Sequence, residues 1–191
     1  MVPSSPRLFY FNAGESGSWR IHSNTNLIGQ PLPDAPKLDV LPGFTQLPNL
    51  ASGWQLQGIT SNDRYVTRDE KTALIARQPD LGRPLATHTA LIAISKNQSW
   101  WDLTQDERRI VLEEKSQHIA IGMKYLPAVA RRLYHCRDLS SDQPFDFITW
   151  FEFSETDSRA FDDLLYSLRT SVEWQFVDRE VDIRMTRAMD L

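Results

Sequence analysis

Four histidines, His22, His88, His118 and His135, are the first residues to weigh for chemistry. None is spaced as HxxxH or HExxH, which argues against a zinc hydrolase. A single histidine can still hold a haem iron as its axial ligand. His118 has the most informative surroundings: it closes a predicted helix over 105–118, after Glu114-Lys115, and is followed by Ile-Ala-Ile-Gly-Met. The plain structural role there is a favourable interaction with the helix dipole. Arg131 is the second candidate. It shares strand period with Val129 and Leu133, which predicts a side chain directed into apolar space. A charge there is costly unless it pairs with an acid or meets an anion, and spacing alone leaves both open. Arg132 falls on the opposite face and reads as surface. Trp100-Trp101 stands upstream, among six tryptophans. Such rings line flat cofactor pockets, and they also fill ordinary cores.

The elements that must position these residues alternate between two periods. Residues 1–50 are rich in Pro, Gly, Ser and Asn, with short strand-like pieces at 8–11 and 19–22 and a proline-rich loop over 30–48. They are expected to form an arm that wraps a core or a partner, preceding a domain over 51–191. Trp54, Leu56 and Gly58 begin a strand. Thr67-Arg-Asp-Glu70 and Thr104-Gln-Asp-Glu107 are capping boxes opening helices to about 78 and 118. Residues 87–95, 129–136 and 145–153 read as strands, 154–169 as a helix with its cap, and 173–184 as a final strand. From residue 87 the order is βαββαβ, the ferredoxin-like pattern, in an α+β chain. That predicts an antiparallel sheet with two helices on one face and something covering the other. Residues 86–186 would form one repeat and 51–85 part of a second, incomplete one.

Composition bounds the partners. The chain has 191 residues, 41% of them hydrophobic and 24% charged, with a formal net charge of −4. A mildly acidic chain without a basic run argues against a nucleic-acid partner. Cys136 is the only cysteine, so no internal disulfide and no CxxC metal pattern is expected. The N-terminal MVPSSPRLFYF lacks a secretory build, and no window reaches the ~20 apolar residues of a membrane helix. A cytoplasmic location away from membranes is expected.

Several ordered motifs resemble the chlorite dismutase family over roughly residues 52–186. They are Trp100-Trp101, the helix with Glu107-Arg108-Arg109, Ser116-Gln-His118, the run from Tyr125 through Arg131 to Leu139, Glu173-Trp174, and Arg179-Glu-Val-Asp-Ile-Arg184. The short N-terminal region resembles the compact lineage, whose members are homodimers. The resemblance implies two ferredoxin-like halves forming a dimeric α/β-barrel, with haem b in the C-terminal half. It implies His118 as the iron ligand and Glu173 as the carboxylate on its other ring nitrogen, although acids recur nearby at Asp178 and Glu180. Lys96, Trp100 and Trp101 would contact the haem, and Gln78 would lie near Arg131. The implied activity is decomposition of chlorite to chloride and dioxygen, with Arg131 holding a hypochlorite fragment beside the haem. Two alternatives stand beside it. A coproporphyrin decarboxylase of the same superfamily usually carries a neutral residue where Arg131 stands, and often a Tyr in the strand before the ligand helix, whereas 87–95 has none. A ferredoxin-like module that binds or regulates without catalysis would leave His118 as a helix cap.

Overall fold

The computed structural model describes residues 7–45, 53–61 and 63–188. Eight strands close into a barrel: β1 (Leu8–Gly14), β2 (Trp19–Ile28), β3 (Lys37–Pro42), β4 (Trp54–Thr60), β5 (His88–Lys96), β6 (Ala130–His135), β7 (Phe147–Phe153) and β8 (Val177–Arg187). The order around the ring is β1-β3-β2-β8-β5-β7-β6-β4, and every neighbouring pair is antiparallel. Starting from β4, the first half runs β4-β1-β3-β2 and the second β8-β5-β7-β6, so both halves share one strand order.

Period-two alternation sorts the side chains. On β5, Leu91 and Ala93 join a core inside the barrel that draws on all eight strands, including Phe11, Leu38, Trp54, Tyr134, Trp150 and Ile183. Ala90 and Ile92 face outward, with Phe151 and Phe153 of β7, onto Phe161, Leu164, Leu165 and Leu168 of helix α5 (Ser158–Arg169). The remaining helices are α1 (Arg68–Arg77), α2 (Gln98–Trp101), α3 (Gln105–Arg109) and α4 (His118–Lys124). No helix among the described residues is long and apolar enough to cross a membrane.

Three expectations change here. Residues 1–50 are more than an arm, because β1, β2 and β3 are barrel staves. The prolines fall just before β3 and at its last residue, Pro42, so Lys37 to Leu41 keep their N–H donors for the ladder with β1. The boundary expected at 50/51 lies outside the described residues.

The single helix expected over 105–118 is broken. Thr104 and Glu107 form the capping box of α3, but the chain then widens into a π-type turn over Ile110–Lys115, and Gln117 takes a left-handed φ of 53°. His118 therefore opens α4 rather than closing α3. The Glu113 carboxylate caps the new start, accepting from the N–H of Ile119 at 2.6 Å and of Ala120 at 3.3 Å. Finally, Val172–Phe176 is a 3₁₀ turn, and β8 begins only at Val177.

Candidate active site

A cavity of about 410 Å³ lies between the outer face of the second half's strands and helices α1, α4 and α5. Ile92, Leu133, Thr149 and Phe151 supply the strand side, His118 and Gly122 the α4 side, and Leu74 and Gln78 the α1 side. Its size falls within the roughly 300–1,000 Å³ of small-molecule sites. Asp63, Arg64 and Lys71 also line it; Lys71 pairs with Asp63, and Arg64 with Asp138.

His118, Glu173 and Lys96 form one connected group. His118 Nδ1 lies 2.5 Å from Glu173 Oε2, and Lys96 Nζ donates to Glu173 Oε1 at 2.8 Å. Ser116 Oγ accepts from the Glu173 N–H at 2.8 Å, so the 3₁₀ turn and the α4 entry are pinned together. Lys96 stands 4.7 Å from the ring centre of Trp100 and 5.7 Å from that of Trp174. Burial alone would raise the Glu173 carboxyl, but His118 and Lys96 outweigh it and hold the acid well below the usual carboxylate range. A carboxylate on Nδ1 fixes the tautomer in which Nδ1–H donates to it and Nε2 keeps its lone pair for a metal. Of the nearby acids, Glu180 is engaged by Arg169 and by Trp174 Nε1, and Asp178 is exposed, so Glu173 is the acid at His118.

The other histidines stay outside the cavity lining. His135 packs edge-on against Phe147 and Trp101, and burial holds it down to about 4. His22 bonds Thr186, and His88 lies beside Thr87.

Arg131 points outward from β6 into the cavity, as its period with Leu133 predicts. No carboxylate among the described residues pairs with it, and its Nη1 is fully buried without a hydrogen-bond partner among them. Burial lowers the guanidinium to about 10, which leaves it charged at neutral pH. The ion-pair alternative therefore loses its support, and an anion site gains it. Arg132 differs from expectation: it is half-buried, with its guanidinium 5.5 Å from the ring centre of Phe9. Its alternation with Arg131 turns it toward the barrel side, which includes Phe9.

Trp100 lines the cavity and Trp101 does not. Trp101 stacks on Phe147 at 8° between planes, under the guanidinium groups of Arg108 and Arg137. Its position in the first turn after Asn97 turns it toward the sheet, where Nε1 donates to the Lys96 carbonyl at 3.2 Å. Gln78 is in the lining, but its amide donates to the Pro79 carbonyl and no hydrogen bond joins it to Arg131.

Of the lining residues not singled out from the sequence, Tyr65 and Gly122 shape the site most directly. Tyr65 holds a φ of 63°, rare for an aromatic residue. Arg109 fixes that turn by donating to the Tyr65 carbonyl and to Glu70, each at 2.6 Å. The Tyr65 hydroxyl and Trp100 Nε1 are buried donors without partners among the described residues, their rings edge-on at 6.2 Å. No local signal marks Tyr65. Gly122 did leave one, as a glycine inside a helical pattern.

The fold and site together define a class: an antiparallel barrel carrying, on its outer face, a cavity with a carboxylate-backed imidazole and an unpaired guanidinium. The chlorite dismutase family model matches residues 48–189, and the chain belongs to that family. A dimeric chlorite dismutase from Nitrobacter winogradskyi is 49% identical, with a TM-score of 0.85 over 94% of this chain and 99% of that one. A chlorite dismutase of Ideonella dechloratans is 34% identical over 122 residues, which are 59% of this chain and 38% of that protein. This chain thus matches less than two fifths of the Ideonella protein's length. A mutant chlorite dismutase from Candidatus Nitrospira defluvii, 19% identical with a TM-score of 0.70 over 98% of this chain and 94% of that one, shares the fold.

Proposed function

We propose that this protein binds haem b through His118 and decomposes chlorite to chloride and dioxygen. The observation that carries the reading is one cavity holding both the His118–Glu173–Lys96 group and the unpaired Arg131 guanidinium. The residues present fit the cofactor. His118 offers Nε2 as a ligand atom, Glu173 raises its basicity, and the free donors of Trp100 and Tyr65 suit the porphyrin carboxylates. Bound haem supplies the redox chemistry of its iron. Arg131 draws the chlorite anion into a water-poor cavity, orients it, and keeps the hypochlorite fragment from leaving before dioxygen forms.

The shared strand order of the two halves supports reading them as ferredoxin-like repeats. Division of the chain into these halves, a homodimer like the Nitrobacter protein, and a cytoplasmic location belong to the same proposal. The single buried thiol of Cys136 suits a reducing compartment.

An oxygen electrode tests the reading. Haem-loaded protein is expected to show a Soret band and to release dioxygen when chlorite is added. Absence of the band would end the haem reading. A band without oxygen release would end the chlorite reading, and conversion of iron coproporphyrin to haem b by peroxide would replace it.

The tryptophan pair gives a second test. Trp100→Phe should weaken haem binding several-fold in a Soret titration, because it removes a free donor from the lining. Trp101→Phe should leave haem affinity within about twofold, since its ring packs behind Phe147. Equal losses from the two would count against this placement of the cofactor.

A further inference from the structure

His118 follows directly on a strained residue. Gln117 holds a φ of 53° and a ψ of 34°, the left-handed region that costs a residue with a Cβ free energy. Gln117 is exposed and its side chain makes no capping bond, so its own packing does not demand that conformation. Its neighbours hold it there. An unbroken helix would hand the N–H groups of His118, Ile119 and Ala120 to carbonyls four residues back. The left-handed turn leaves them instead as the open first turn of α4. Glu113 answers two of the three with one carboxylate: Oε2 accepts from the Ile119 N–H at 2.6 Å and Oε1 from the Ala120 N–H at 3.3 Å. Its carbonyl also accepts from the Gln117 N–H at 2.9 Å. One residue thus grips the chain on both sides of His118.

Glu113 is not part of the cavity lining, so this grip lies behind the imidazole and does not depend on what fills the cavity. The ring of His118 is held separately, by Glu173, and Ser116 fastens the residue before Gln117 to the Glu173 N–H. The ring is therefore fixed from one side and the backbone from the other. We infer that Glu113 is a positioning residue for the iron ligand: by holding the left-handed break at Gln117, it sets the direction in which His118 Nε2 enters the cavity. This rests on the proposed role of His118 toward haem. Relaxation of Gln117 into the right-handed region would turn the first residue of α4, and the imidazole with it, so that the ring could no longer meet Glu173 and the iron together.

The test mixes haem-loaded protein with excess apomyoglobin and follows haem loss at the Soret band. Glu113→Ala is expected to lose haem on the order of tenfold faster than the parent, the low end for an outer partner of a metal ligand. Its iron–histidine stretching band in ferrous protein should shift. Glu113→Gln keeps one acceptor oxygen and should lose haem roughly threefold faster, which carries the test if the alanine variant does not fold. Two comparisons separate positioning from stability and from charge. Glu107→Ala removes a carboxylate and the acceptor of the Thr104 N–H at the exposed start of α3. It should unfold at lower urea, yet keep haem loss within about twofold of the parent and the stretching band in place. Gln117→Gly takes the left-handed φ without strain, so in the Glu113→Ala background it should recover most of the lost haem retention. Parent-like haem loss with an unshifted band in Glu113→Ala would overturn the inference, as would equal acceleration in Glu107→Ala or no recovery by Gln117→Gly. A parent protein without a Soret band would instead end the haem reading itself.

Discussion

Arg131→Ala is expected to slow chlorite decomposition about a hundredfold, the scale set by removing one preorganised donor from a site of developing negative charge. Truncation should also let more hypochlorite escape, so a chlorination probe should trap more of it per dioxygen released. Escaped oxidant attacks Trp, Met and Cys side chains, so the variant should inactivate after fewer turnovers. Folding stability should hold, because among the described residues Arg131 has no ion pair to lose and its Nη1 is buried without a partner. Arg131→Lys should fall between the two, keeping the charge without the fork. The guanidinium titrates at about 10, so anion binding should weaken as pH rises toward that value in the parent and stay flat in Arg131→Ala. Parent-like rates with no additional trapped hypochlorite would end the proposed role.

Glu173→Ala should cost about 3–5 kcal/mol of folding free energy, because it strands the buried Lys96 ammonium. For a chain of this size that is a fall of about 10 °C in Tm. Glu173→Gln keeps the shape and should cost less. Its acid behaviour separates charge from packing. The folded Glu173 carboxyl lies below its unfolded value of roughly 4.3. Its contribution is therefore complete above that unfolded value and drains away as pH falls through the folded one. Parent stability should thus drop steeply below about pH 4, and Glu173→Gln should show a shallower slope there. Matching slopes in urea unfolding between pH 2 and 7 would mean that the Glu173 charge contributes nothing to stability.

Local patterns in the sequence carried much of the second half. The capping boxes at Thr67 and Thr104, the strands from residue 88 onward and the outward direction of Arg131 all follow from spacing between near neighbours. The partnership of His118 with Glu173 did not, since it joins residues 55 apart; only the family resemblance pointed to it. Before residue 50 the strand-like pieces at 8–11 and 19–22 fall within β1 and β2, but their full extent and β3 were hidden, because their pairing is long-range and prolines crowd the approach to β3. The break before His118 was hidden for a related reason. A strong capping box and helical period continue through it, while the Glu113 carboxylate and the Ser116–Glu173 bond hold the chain open. Periodicity has no access to such side-chain to backbone bonds.

Closure of the barrel has one further consequence. Each of the eight described strands is hydrogen-bonded on both sides, from the long β2–β8 seam to the two-residue β4–β6 seam. Among the described residues no stave is unpaired along its whole edge, and the only open stretches lie beside the two-residue β2–β3 and β4–β6 seams, so the sheet presents no full-length template for edge-to-edge growth. Side chains on the outer faces and helices are then the larger surface for recognising a second protein molecule, where single substitutions can tune the fit without disturbing the ladder.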